Sequence, residues 1–255
     1  MSRVHFSIEG RVAELRIDNP TKLNAFTTEM LAQLASHLDA IERNPDIACV
    51  LVTAAEGKAF CAGADINAWG DLTPAEFARH WVRSGHRVFD RLARLARPTI
   101  AVIHAHAFGG GLELAAACDI RVMAPKALLG LPEAQVGIVP GWSGSQRLLR
   151  LMPEPMVKEM ALFGQRITAA RAHAAGFVAE VADDPRSVAQ AMATRVCDLS
   201  PRAVEITKSM IHAGVGEDPA AMIEALGSAA IAASADRTEG VAAFRAKRQA
   251  DFSGE

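Results

Sequence analysis

Two short apolar runs limit what this 255-residue chain can become. Residues 47–53 read IACVLVT and residues 99–104 read TIAVIH. Both are continuous, rich in β-branched side chains, and lack the alternation of a strand with one wet face. Such strands are buried on both sides, which calls for a sheet flanked by helices. Helical patterns lie between them. Thr27 or Thr28 caps a predicted helix to about Arg43, with Met30, Leu31, Leu34, Leu38 and Ile41 on one face. A second helical stretch runs from about Pro74 to Leu95, and Pro98 breaks it. Strands alternating with helices predict βαβ units and an α/β class.

The two ends differ from this middle. Val4, Phe6 and Ile8 alternate with polar neighbours, Glu9-Gly10 turns the chain, and residues 12–17 return, which predicts a hairpin ended by Asn19-Pro20. Beyond residue 140 the pattern is mostly helical, Ala-rich and amphipathic, with one short strand near residues 177–181. Thr238-Glu239-Gly240 followed by Phe244, Lys247 and Arg248 reads as a last helix with a basic end. No internal repeat or low-complexity tract interrupts the chain.

Composition removes several classes of function. Half the residues are apolar, enough for one sizeable core. The 27 basic and 29 acidic residues are well mixed, so no basic stripe marks a nucleic-acid partner. Cys49, Cys61, Cys118 and Cys197 stand alone, without the paired spacing of a zinc site or a disulfide framework, and fit a reducing cytoplasm. No apolar run reaches the ~18–20 residues of a membrane span. Neither a signal nor a transit segment is visible at the start.

Three segments can carry chemistry. The first, Phe60-Cys61-Ala62-Gly63-Ala64-Asp65-Ile66, follows a buried strand, and its small residues allow close backbone approach. The Ala64 N–H can face a ligand oxygen there, although an ordinary tight turn accounts for the same residues. The second is Phe108-Gly109-Gly110-Gly111-Leu112-Glu113-Leu114. Three glycines entering a short helix (residues 112–117) leave N–H groups free at its positive end, which suits an anionic oxygen. It is neither a Walker loop nor GxGxxG, and a bare triple glycine also serves as a flexible turn. Glu113 sharpens the reading, because a carboxylate among Leu112, Leu114 and three alanines needs a partner or a task. An arginine salt bridge is the plain alternative. The third segment is Leu131-Pro132-Glu133 with Gly137-Ile138-Val139-Pro140-Gly141-Trp142. Alone, Glu133 reads as a surface-loop residue. Paired with Glu113 it can frame one water molecule, with the two pKa values pushed apart. His104 and His106 end a strand without a third ligand and are read as structural, so no metal is expected.

In this order, the segments resemble the enoyl-CoA hydratase/isomerase (crotonase) superfamily. The resemblance covers nearly the whole chain, from Asn19-Pro20-Thr21-Lys22-Leu23-Asn24-Ala25 through the three segments above. It continues through Gln146-Arg147-Leu148 and Gly164-Gln165-Arg166-Ile167 to the last helix. It implies a crotonase-like spiral of ββα units over residues 1–195. It also implies a helical trimerisation region over residues 196–255, and homotrimers that pair into hexamers. It places an oxyanion hole at the N–H groups of Ala64 and Gly110. Coenzyme A enters as part of the substrate, with no tightly bound cofactor. The adenine is expected near Ala62, Ala64, Asp65 and Ile66, with Lys22 and Ala25 lining the CoA site. Lys247 is placed to reach CoA phosphates, as a point charge toward phosphate. Gly141 brings backbone near the reacting water.

The same resemblance points to hydration of a trans-2-enoyl-CoA thioester, because Glu113 and Glu133 match both catalytic glutamates of the hydratases. An isomerase or a specialised acyl-CoA hydratase is the neighbouring alternative, and a non-catalytic CoA- or RNA-binding scaffold the distant one. Three departures stand out. Trp142 occupies a position where hydratases of the family usually have a small residue, facing either the acyl pocket or a subunit interface. Ser228 and Ala229 stand where an aromatic residue near adenine is common. Residues 67–90, where acyl selectivity usually resides, hold Trp69 and Trp81.

Overall fold

Each buried run of the sequence becomes the first strand of a two-strand unit, and the units stack side by side. The structure, a computed structural model, describes residues 2–255. The hairpin is β1 (Arg3–Glu9) and β2 (Val12–Asp18), turned at Gly10 with φ +57°. Helix α1 (Thr28–Arg43) follows, its first turn capped by the Thr27 side chain accepting from the Met30 N–H. Its five predicted apolar residues are the ones it buries.

Three ββ units come next. They are β3 (Cys49–Ala54) with β4 (Ala59–Cys61), β5 (Thr99–Ile103) with β6 (His106–Phe108), and β7 (Ile120–Met123) with β8 (Leu128–Gly130). The first strand of each joins one sheet and the second joins another. Together with β9 (Ile167–Thr168) and β10 (Glu180–Val181), this gives a six-stranded sheet, β1-β2-β3-β5-β7-β10, and a four-stranded sheet, β4-β6-β8-β9. Pairing is parallel except at β1–β2 and β8–β9.

Between the units run the helices. One turn, α2 (Pro74–Glu76), leads into a π-helical stretch, Phe77–Val82, and then α3 (Arg83–Ala93). The helix read over residues 74–95 is therefore present but locally widened. Helix α4 is Gly110–Ala116, α5 is Gly144–Leu151, α6 is Glu154–Phe163, α7 is Ala169–Ala174 and α8 is Pro185–Cys197.

The continuous apolar runs have a direct cause. In β3, Val50 and Val52 face the main core shared with α1, α3 and α4, while Cys49 and Leu51 face Ala189 and Ala193 of α8. With helices on both faces, no position can be polar without desolvating it. The chain forms two compact units, one ending at Val204 and the other Glu205–Glu255. The second unit is helical, holding most of α9 (Pro201–Gly214), then α10 (Pro219–Ala232) and α11 (Ala235–Ala246). Among the described residues, no helix is long and apolar enough to cross a membrane.

Candidate active site

The triple glycine starts α4 because no other residue fits there. Gly109 precedes the helix at φ +52°, ψ −126°, and a Cβ on it would lie 2.9 Å from Glu133 Oε1. A Cβ on Gly110 would meet the Trp142 ring at 2.7 Å, and one on Gly111 would meet the Cys61 carbonyl oxygen at 2.1 Å. The far end of α4 is fixed too. The buried Arg121 guanidinium donates to the carbonyl oxygens of Ala115 in the last turn, of Cys118 and Asp119 just beyond it, and of Phe177, tying the end of the helix to a distant loop. Helix α4 is thus a short, rigid post carrying Glu113.

Glu113 is only 3% exposed, and its Oε1 accepts from the backbone N–H groups of Trp142 and Gly144, both at 2.8 Å. Burial pushes its carboxyl upward, while those two donors and the charge of Arg147 pull it back. The carboxylate is held by backbone, not by the arginine salt bridge that the sequence left open. Glu133 is the opposite case. It opens a 3-10 turn, Glu133–Val136, and is 7% exposed, so it is no surface-loop residue. Its Oε2 has no hydrogen-bond partner. Burial, with the Glu113 charge adding to it, raises its carboxyl to about 7. Glu113 thus receives two donors from another loop, while the hydrogen bond that lowers Glu133 comes from its own backbone, so the two buried carboxyls sit in unequal surroundings.

Both glutamates line one cavity of about 180 Å³, together with Ala62, Gly63, Ala64, Ile66, Gly110 and Gly141. The Gly63 and Gly110 backbones touch there, since a Cβ on Gly63 would lie 3.2 Å from the Gly110 nitrogen. The bridge between Phe26 and Ala64 is closed by the N–H groups of Phe26 and Asp65, so Ala64's own N–H is outside it. Gly110, as the first helical residue, has no intrahelical acceptor for its N–H.

The chain from residue 7 to residue 255 matches the family model described as enoyl-CoA hydratase/isomerase. The chain belongs to this family. It is 33% identical over 253 residues to the short-chain-enoyl-CoA hydratase of Clostridium acetobutylicum, covering 98% of this chain and 97% of that one. Among solved structures, the enoyl-CoA hydratase of Bacillus anthracis superposes with a TM-score of 0.81 at 32% identity, covering 99% of each chain. DspI of Pseudomonas aeruginosa superposes with a TM-score of 0.82 at 32% identity, covering 98% and 96%. The α/β spiral of ββ units is therefore the crotonase fold.

Other expected site residues fall elsewhere. Lys22 and Asp65 line a separate, more open groove of about 670 Å³ with Arg3, His5 and Asp18, while Ala25 is buried. Lys247 ends α11 in the second unit, in the left-handed region at φ +52°. Among the described residues, no group of three or more His, Cys, Asp or Glu is placed to hold a metal. His106 accepts from the Leu128 N–H at 3.1 Å through Nδ1 and stacks on Phe108, a structural use.

Sequence reasoning missed the two backbone donors to Glu113. Their signal is the segment Gly141-Trp142-Ser143-Gly144, where Ser143 sits at φ +73° and turns both N–H groups inward. It also left Trp142 undecided. The ring lies inside this chain, 3% exposed, against Trp81 and Phe89, and lines the cavity rather than an interface. Trp69 and Trp81 line the same cavity.

Proposed function

We infer that the chain is an enoyl-CoA hydratase, adding water across the 2,3 double bond of a trans-2-enoyl-CoA thioester. The observation that carries this reading is the pair of unequal buried glutamates on one small cavity. The thioester oxygen accepts from the Ala64 and Gly110 N–H groups, and each such donor stabilises a developing enolate by ~3 kcal/mol. Glu113, held in place by two backbone donors, orients the water and takes its proton as oxygen bonds to C3. Glu133, its carboxyl raised to about 7 by burial, delivers a proton to C2. Water's hydroxyl and a proton add, the double bond is consumed, and nothing is oxidised or reduced.

The CoA portion is assigned to Lys22, Ala25, Ala62, Asp65 and Ile66, with Lys247 as a phosphate contact. No separate cofactor is needed. Residues 196–255 are assigned to trimerisation, with pairing of trimers into hexamers. Helix α10 buries no residue of its own, and Ile223 and Phe244 are 71% and 86% exposed, which leaves apolar surface for another subunit. The four cysteines, none of them in a disulfide, suit a cytoplasmic location.

The test is crotonyl-CoA hydration, followed by loss of the conjugated thioester absorbance, for wild type, Glu113→Gln and Glu133→Gln. Both variants lose activity by roughly 10²–10⁴-fold. Near-wild-type rates in both overturn the assignment. A wild type that isomerises 3-enoyl-CoA and does not hydrate crotonyl-CoA overturns the hydratase reading itself.

A further inference from the structure

The position of the Trp142 ring determines how much acyl chain the cavity can hold. Its backbone N–H is fixed on Glu113 Oε1 at 2.8 Å, so the side chain starts at the site of chemistry. The ring lies in a slot between two glycines from different helices. A Cβ on Gly85 of α3 would sit 2.1 Å from Trp142 Nε1, and one on Gly110 of α4 would sit 2.7 Å from Cζ3. Trp81, Phe89 and Phe26 hold it from the sides, with ring centroids 5.3, 5.1 and 6.1 Å away. Trp81 reaches this place from the π-helical stretch Phe77–Val82, an irregularity that recurs at functional sites. An indole takes the volume that a small residue would leave open.

The cavity that remains holds about 180 Å³, and Trp69, Trp81 and Trp142 all line it. Every methylene added to the acyl chain competes with the indole for that space.

Resting on the hydratase reading, we propose that Trp142, seated on Gly85, ends the acyl pocket and restricts the enzyme to short enoyl thioesters of about four carbons. Trp142 is a specificity-determining residue through its ring, while its backbone serves Glu113.

The test measures kcat/KM for four-, six- and eight-carbon 2-enoyl-CoA thioesters in wild type, Trp142→Leu, Gly85→Ala and the double variant. In wild type the eight-carbon substrate is at least tenfold poorer than crotonyl-CoA. W142L raises the eight-to-four ratio at least ~10-fold, since each accommodated methylene is worth roughly 10-fold or more. G85A drives a methyl into the indole and lowers crotonyl-CoA turnover about tenfold, but has little effect in the W142L background, where its clash partner is gone. A wild type equally active on four and eight carbons, or a W142L that lowers all substrates alike, overturns the proposal and leaves the hydratase reading standing. If W142L fails to fold, Trp142→Phe gives a smaller shift in the same direction. Should wild type hydrate no enoyl thioester, the hydratase reading falls. Calorimetric affinities for butyryl-CoA and octanoyl-CoA still probe the pocket, and an unchanged ratio in W142L then overturns the proposal as well.

Discussion

Replacing Glu133 by glutamine is expected to remove catalysis and reshape the pH dependence of stability together. Burial first, and the neighbouring Glu113 charge with it, raises the Glu133 carboxyl from 4.5 to about 7, and its Oε2 has no partner to offset this. A shift of about 2.5 units at 1.36 kcal/mol each is about 3 kcal/mol. The sign follows from proton binding. Between pH 4.5 and about 7 the folded chain keeps a proton that the unfolded chain releases, so stability falls as pH rises. Below 4.5 the penalty is absent, and above about 7 it is complete. Glutamine does not ionise, so the variant lacks this dependence. Its amide must find partners or cost ~1–3 kcal/mol, but that cost is the same at every pH. The stability difference between variant and wild type therefore moves in the variant's favour by about 2.5 kcal/mol from pH 5 to pH 8. Urea titrations at the two pH values measure it, at one protein concentration because self-association shifts apparent stability. An equal difference at both pH values refutes an ionisable, unpartnered Glu133, whatever happens to activity.

Four further outcomes follow from the same geometry. Glu113→Gln keeps crotonyl-CoA binding within a few fold while kcat falls roughly 10²–10⁴-fold; a rise in KM alone, with kcat intact, removes Glu113 from the chemistry. For wild type, kcat/KM for hydration declines tenfold per pH unit above about 7, as Glu133 loses the proton it delivers; a profile flat to pH 9 contradicts that role. Gly111→Ala costs at least about 2 kcal/mol by overpacking, because its methyl lands 2.1 Å from the Cys61 carbonyl oxygen; an unchanged urea midpoint rejects the close approach. Cys61, buried with its thiol pushed up to about 12, stays unlabelled by iodoacetamide at pH 8 until the chain is unfolded, and peptide mapping after labelling reads this directly.

Legibility in the sequence followed the length of each pattern. Helix α1 shows four turns of regular spacing, and Met30 to Ile41 were bound to share a face. Strands β3 and β5 were legible because both of their faces are covered, and their only polar side chains, Thr53 and Thr99, lie near the strand ends and are hydrogen-bonded. By contrast, β4, β6 and β8 are three residues each, too short for any period, and exist because neighbouring strands pair with them. The π-helical turn at Phe77–Val82 likewise has no local signature, since packing sets it.

The glutamates divide along the same line. Their residue types and their glycine- and proline-rich surroundings were visible in the chain, and so was their order around the triple glycine. Their unequal states were not. Glu113 accepts from two N–H groups that arrive from a loop about thirty residues away, and Glu133 is buried by its turn with Oε2 left without a partner. Sequence alone determined the strand–helix alternation and the candidate carboxylates, because periodicity and residue type are local properties. Only the tertiary structure decided which carboxylate receives the backbone donors, and that the Trp142 ring lines the cavity, because hydrogen bonding and volume depend on neighbours that the chain order does not place together.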